Sequence, residues 1–388
     1  MNYPIYMDYN ATTPCHPAVL QEMLPYFSEH FGNPSSGQHP YGWVAEEAVE
    51  TAREQVAALI GASAKEIVFT SGATEAINLA LRGVVARSKA KGKHLITFAT
   101  EHKAVLDTLR ILENQGCSLT VLPSRPDGSV SLELLEKSIT ADTILIAGML
   151  ANNETGYIHP IRTMAEIARK RGVLFFADAV QAVGKIPVDV RELGVDLLAL
   201  SGHKMYGPKG VGALFLRKSD PVFGLEAQIT GGGQETGRRS GTLNVPGIVG
   251  LGKASEIAHQ EMDAEAVRLK RLRDSLQHDL LKIDGARSNG STDSRLPHVC
   301  NISFRGIPGK QLLLRINKKL AVSSGSACSS ISDKPSHVLL AMGLDSQTAL
   351  ATLRLSLGRR TTRADVERAS SHIRETVHKL MERSPSEH

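Results

Sequence analysis

Between about residues 44 and 216, short apolar runs alternate with helical patterns, and this alternation constrains the fold more than any other feature of the chain. The runs are EIVFT (66–70), HLITF (94–98), SLTVL (118–122), TILIAGM (143–149), VLFFA (173–177), LLALS (197–201) and GALFL (212–216). A strand that is apolar on both faces needs cover on both faces, which a parallel sheet between layers of helices supplies. Helical patterns starting near Thr74 and near His102 fit the crossovers that such strands require. The predicted class is therefore α/β, with a mostly parallel sheet wrapped by helices.

From about residue 256 the texture changes. A charged helical stretch over 256–283 is followed by VCNISF (299–304), a helix near 309–319, LAVSS (320–324), TLRLSL (352–357) and a helix over 364–382. Fewer, interrupted strands predict an α+β layer and a boundary near 256. The expected division is a large unit over 15–255 and a small one built from 1–14 and 256–388. Hydrophobic residues make up 41% and charged residues 22% of the 388, which places the chain among globular proteins and not disordered ones. The net charge of +5 is spread out, and the run Arg268–Arg273 is interleaved with leucine, so no nucleic-acid stripe is expected. No segment reaches membrane-span length, and the start MNYPIYMDYNATT does not read as a secretory signal. Cys15, Cys117, Cys300 and Cys328 form no CxxC pair, so no metal site and no disulfide framework is expected, and a reducing cytoplasm is the natural setting.

Three segments carry chemistry. In EIVFTSGATEAINLAL a strand runs through Ser71-Gly72-Ala73-Thr74 straight into a helix, a turn whose free N–H groups suit a phosphate. It matches neither GxGxxG nor GxxxxGK[ST], which weakens dinucleotide and P-loop readings. The plain alternative is a capped helix with Thr74 as cap and Glu75 as dipole partner. In VLFFADAVQAVGK, Asp178 follows an apolar run, at the strand end where open parallel sheets bind ligands; it could equally be a helix N-cap. In LLALSGHKMYGPKGVGALFL, Lys204 lies in a glycine-rich loop between buried strands, flanked by Ser201 and His203 as phosphate-type donors. A desolvated lysine there can form a Schiff base, whereas Lys209 reads as an exposed loop lysine. A phosphate cradle, a strand-end acid and a loop lysine together meet the needs of pyridoxal phosphate.

At these residues the sequence resembles class V of the fold-type I pyridoxal-phosphate enzymes, and within it the NifS/IscS cysteine desulfurases. The likeness covers nearly the whole chain: MDYNATTP, FGNPSS (31–36), FTSGATEAIN (69–78), EH (101–102), NNETG (152–156), DAVQAVGK (178–185), SGHKMYGPKG (201–210), RRSGTLNV (238–245), SSGSACSS (323–330) and LRLSLGR (353–359). The resemblance implies a homodimer with a seven-stranded large domain. It implies that Lys204 carries the cofactor, Asp178 pairs with the ring nitrogen, Gln181 touches the ring hydroxyl and His102 stacks on the ring and acts in proton transfer. Ala73, Thr74, Ser201 and His203 would hold the phosphate, with Thr242 reaching it from the neighbouring subunit. Asn153 and Arg354 would bind the substrate carboxylate. By its residue type and place alone, Arg354 in TLRLSL reads as an edge-strand surface residue, and His102 as a helix-start histidine.

Cys328 separates the chemistries. It lies in SSGSACSS, a run of small polar residues that suits an accessible nucleophile, while Cys300 and Cys117 look like core or strand cysteines and Cys15 like a partly exposed one. The implied reaction removes sulfur from L-cysteine, leaving L-alanine and a persulfide on Cys328, which passes to a sulfur-acceptor protein such as an iron–sulfur scaffold. The long SSGSAC form of this segment implies a mobile loop. The end of the chain at MERSPSEH lacks the longer tail through which IscS-type members dock the scaffold, which puts that partner in doubt. Two other readings stay open: another class V activity (aminotransferase or selenocysteine lyase), and a sulfur-carrying adaptor without efficient turnover.

Overall fold

The computed structural model describes residues 3–88, 92–218, 224–325 and 334–382. Cys328 lies outside the described residues. The strands in chain order are β1 (Ile5–Tyr6), β2 (Ile67–Thr70), β3 (His94–Phe98), β4 (Ser118–Leu122), β5 (Thr143–Met149), β6 (Leu174–Asp178), β7 (Leu197–Ser201), β8 (Gly212–Leu216), β9 (Ala286–Ser288), β10 (Val299–Phe304), β11 (Leu320–Ala321) and β12 (Thr352–Ser356).

Seven of them form one sheet in the order β2-β8-β7-β6-β5-β3-β4. The pairs β4–β3, β3–β5, β5–β6 and β6–β7 are parallel, and β8 runs antiparallel to both neighbours. All seven apolar runs are thus strands of this sheet. Helices cover both faces, and two large apolar clusters lie against them, one containing Phe69, Phe98, Phe175 and Phe215, the other Leu81, Leu109, Leu145 and Phe176. SLTVL is less buried than the other runs because it forms the edge strand β4.

A second sheet, β12-β10-β9, is antiparallel. Its own cluster joins Ile302, Phe304, Leu353 and Leu355 to Met7 near the N-terminus and Ile373 and Val377 near the C-terminus. The first residues belong beside this layer: β1 pairs with β11, and Asp8 bridges to Ser356.

The long helix differs from the expected 256–283. It starts at Val245, capped by Asn244, and runs unbroken to Leu280. Its first turns are rich in glycine, which argues against a helix on propensity. The glycines are there for packing: a Cβ on Gly252 would lie 2.6 Å from the Cα of Ala52 on the neighbouring helix Pro40–Leu59. The N-terminal part of the helix packs into the large cluster through Ile248 and Leu251, and its C-terminal part into the small one through Leu269, Leu276 and Leu280.

Candidate active site

The carboxyl ends of β5, β6 and β7 open onto a cavity of about 570 Å³. Lys204, His102, Asp178, Gln181, Asn153, Arg354, Ser201, His203, Ala73 and Thr74 all line it. Residues from Ala73 to Arg354 therefore converge on one hollow.

β7 ends at Ser201, and a short 3-10 turn, Gly202–Lys204, sets the lysine over the sheet edge. Tyr206 just beyond takes φ +64°, a left-handed conformation uncommon outside glycine, and its N–H donates to Thr13 Oγ1 at 2.8 Å. The turn is thereby pinned to the N-terminal segment. Lys204 Nζ donates to the carbonyl oxygens of Asn10 and Ala11 at 2.6 and 2.7 Å.

Asp178 is the last residue of β6 and is buried. Its Oδ1 accepts the Val180 N–H at 3.0 Å, so it also caps its own turn. Burial pushes its carboxyl above the usual range, against the pull of His102 and Lys204. His102 is the N-cap of the helix Lys103–Asn114, where Nδ1 accepts the Ala104 N–H at 3.1 Å. An accepting Nδ1 places the proton of the neutral ring on Nε2. Burial holds this imidazole below its ordinary pKa, with Asp178 opposing and Lys204 reinforcing that shift. The helix-start reading of His102 and the site reading are both realised in one residue.

The turn after β2 departs from the plain capped-helix alternative. The N-cap of the helix Ala73–Arg87 is Gly72, at φ +150°, a region open to glycine, and no side chain caps the helix. Thr74 lies inside the first turn. The leading N–H groups therefore have no side-chain acceptor among the described residues, at the positive end of a 15-residue helix beside the cavity. Glu75 is engaged elsewhere: Oε2 accepts the Ser71 N–H, and Oε1 pairs with Arg239 at 2.8 Å. His203 shares a hydrogen bond with Thr12 Oγ1 at 3.1 Å and is pushed down to about 4 by burial and then by Lys204, Lys209 and Lys185. Lys209 is exposed, as expected, yet it also lines the cavity.

These features fit pyridoxal phosphate. An uncapped helix end suits a dianionic phosphate, a buried aspartate with no cation in hydrogen bond among the described residues suits a protonated ring nitrogen, and Lys204 suits the aldehyde carbon. Among the described residues no group of three or more His, Cys, Asp or Glu side chains could hold a metal ion.

Arg354 corrects the surface reading. It is 1% exposed although β12 is an edge strand, because its side chain faces the cavity side and not solvent. Nη2 pairs with Asp8 Oδ1 at 2.6 Å and Nη1 donates to the carbonyl oxygen of Asn153 at 3.1 Å. Thr242 is exposed and stands apart, in a depression of about 230 Å³ that shares Ser71 and Gly210 with the main cavity. Cys300 is fully buried in β10, and Cys15 and Cys117 are half-buried free thiols.

Sequence reasoning gave no role to Asn10, the hub of the site. Its carbonyl oxygen accepts from Lys204 Nζ and from Gln181 Nε2 at 3.0 Å, its Nδ2 donates to the Asn153 carbonyl, and its Oδ1 meets His298 Nε2 at 2.8 Å. Lys185 was also missed. Its amine donates to Gln181 Oε1 at 2.6 Å, and burial, then Lys204 and Arg354, hold it well below an ordinary lysine. Both stand in quoted motifs, MDYNATTP and DAVQAVGK, but only the fold reveals what they touch.

Residues 5–369 match the aminotransferase class-V family. The chain is 53% identical to a cysteine desulfurase IscS of Anaeromyxobacter sp. (strain K) over 386 residues, 99% of this chain and 95% of that protein. Among solved structures it resembles a NifS-like protein at a TM-score of 0.91 and 39% identity, covering 97% of this chain and 100% of the other. It also resembles SspA in complex with cysteine at 0.81 and 37%, covering 91% and 98%. Likeness of this extent, on a chain whose lysine, aspartate and helix end meet in one cavity, makes it a member of the class-V aminotransferases, in the cysteine desulfurase branch of these pyridoxal-phosphate enzymes.

Proposed function

We propose that the chain removes sulfur from L-cysteine, releasing L-alanine and passing the sulfur through Cys328 to an acceptor protein. The observation that carries this reading is the convergence of Lys204, Asp178, His102 and the uncapped helix end on one cavity, with Arg354 at its side. Ala73, Thr74, Ser201 and His203 would hold the phosphate of pyridoxal phosphate, Asp178 its ring nitrogen, and Gln181 its ring hydroxyl. The bound cofactor supplies an electron sink for the bond broken at the substrate's α-carbon.

The residues then divide the work. The guanidinium of Arg354 and the side chain of Asn153 orient the substrate α-carboxylate. Burial raises the Asp178 carboxyl, and the opposite charge of a protonated ring nitrogen would favour its carboxylate form. Lys204 moves the α-proton. His102, neutral and protonated on Nε2, offers a donor on the side of the ring away from its helix cap. The thiolate of Cys328 attacks the substrate sulfur, taking it as a persulfide while the carbon–sulfur bond breaks toward alanine.

Thr242 is exposed beside the main cavity, which supports a role across a homodimer interface. Exposed Leu24, Phe27, Phe31, Tyr41 and Trp43 give a second copy apolar surface to cover. No described helix is long and apolar enough to cross a membrane, and the free thiols suit a reducing cytoplasm. The separate apolar clusters support a division into 15–255 and 1–14 with 256–388, spanned by the helix Val245–Leu280.

The test uses purified holoenzyme with L-cysteine and a reductant, assaying sulfide and alanine together. Equal amounts of both, without any keto acid, are expected. Alanine formed only when a keto acid is present would overturn the reading.

A further inference from the structure

The fork of Arg354 is unevenly used. Nη2 pairs with Asp8 Oδ1 at 2.6 Å, Nη1 donates to the Asn153 carbonyl at 3.1 Å, and Nε is buried with no hydrogen-bond partner among the described residues. A carboxylate on arginine gains most from two parallel bonds. Asp8 makes one contact and leaves Nε unmet. The backbone of Asp8 is fixed by its bridge to Ser356 and by the Tyr6 hydroxyl, which donates to its carbonyl oxygen at 3.0 Å. Its side chain is 18% exposed, against 1% for its partner.

We propose that Asp8 is a positioning residue that sets how tightly the site holds any α-carboxylate: an internal carboxylate that pairs with Arg354 and opposes an incoming α-carboxylate, so that substrate entry and product release are exchanges at one guanidinium. The inference rests on Arg354 being the carboxylate binder. A buried guanidinium left without a counter-charge is costly, so Arg354 needs an anion whether or not substrate is bound. When a second carboxylate arrives, Asp8 either yields its arm or shares it. In both cases its negative charge raises the free energy of the bound state, because like charges at one site repel. The consequence is a site that does not hold alanine, which carries the same carboxylate as cysteine.

Asp8→Asn keeps an oxygen that accepts from Nη2 and removes the charge. A charged hydrogen bond exceeds a neutral one by about 1 kcal/mol, so KM for L-cysteine, and Kd for L-alanine from the visible spectrum of the holoenzyme, should each fall about fivefold, with kcat changing less. The thermal shift that alanine gives the protein should grow in parallel. Should Asp8→Asn fold poorly, Asp8→Ser removes the same charge and gives the same readouts. Arg354→Lys separates the two layers of the argument. If it weakens alanine binding while Asp8→Asn leaves KM and Kd unchanged or higher, Asp8 is structural and the proposal fails with the Arg354 reading intact. If Arg354→Lys leaves alanine binding unchanged, the Arg354 reading fails and takes the proposal with it.

Discussion

Lys204 Nζ donates to the carbonyl oxygen of Asn10 at 2.6 Å, across 194 positions of sequence. Together with the bond to Ala11, this draws the amine toward the N-terminal segment, whose strand β1 pairs with β11 beside the second sheet. The lysine of one layer and the first residues attached to the other thus meet at the site. Two backbone carbonyls of that segment therefore accept from the amine.

Lys204→Ala should remove turnover by about a thousandfold or more, because the same amine is proposed to hold the cofactor and to move the α-proton. It should also abolish the visible absorption band of the holoenzyme. Residual pyridoxal phosphate can still bind through the helix end at Ala73. An unchanged visible spectrum in this variant would sink the assignment of Lys204.

Asp178→Asn is nearly isosteric and keeps an oxygen to accept the Val180 N–H, so the fold should survive. An amide cannot hold a ring nitrogen protonated. The alanine-forming rate should fall about a hundredfold. Turnover within a few-fold of the parent protein would show that Asp178 has another task.

Seven apolar runs announced the sheet because burial on both faces leaves a plain mark in sequence. Lys204, in a glycine-rich loop between buried strands, and Asp178, at the end of an apolar run, stood out as charged residues in need of a partner, and the structure sets both on the cavity. Arg354 was not, since an edge strand ordinarily faces solvent, and only the approach of Asp8 and Asn153 from distant segments buries it. The start of the helix Val245–Leu280 was hidden by glycines chosen for close packing. Asn10 was invisible because two of its key contacts use its backbone carbonyl, which carries no residue-specific signal.

Size-exclusion with light scattering should give a dimer at assay concentrations. Thr242→Ala should raise the Kd for pyridoxal phosphate while leaving the dimer intact. A strictly monomeric protein with full activity would refute a shared site.

His159 ties stability to pH. It is buried, its Nε2 has no hydrogen-bond partner among the described residues, and burial pushes it down to about 4. An unfolded histidine titrates near 6.5. Between those values the unfolded chain takes up a proton that the folded one refuses, so stability is full above about 6.5 and falls as pH drops toward 4. The loss from this residue is on the order of 3 kcal/mol. Urea unfolding at several pH values should show that slope, and His159→Leu should reduce it by this residue's share, since other histidines, His203 and His298 among them, are pushed low by burial as well. The same slope in His159→Leu as in the parent protein would mean that His159 is protonated in the folded protein.

Cys328→Ser is the most discriminating variant. Lys204, Asp178 and Arg354 are untouched, so it should keep the cofactor and its spectral response to L-cysteine. It should release little or no sulfide, because a serine hydroxyl is a poor nucleophile toward sulfur at neutral pH. The other cysteines are poorly suited to replace it. Burial pushes the Cys300 thiol up to about 12. Cys15 and Cys117 are raised by burial too, with Lys209 and Lys93 opposing. All three are therefore thiols at pH 7, and the thiolate is the attacking form. Cys15→Ser and Cys117→Ser should leave sulfide release unchanged. Cys300→Ala should cost stability, since it empties a fully buried position between β9 and β12. Mass spectrometry after cysteine treatment should find one added sulfur on the peptide carrying Cys328. An added sulfur on another cysteine, or full sulfide release by Cys328→Ser, would overturn the transfer step while leaving the roles of Lys204 and Asp178 standing.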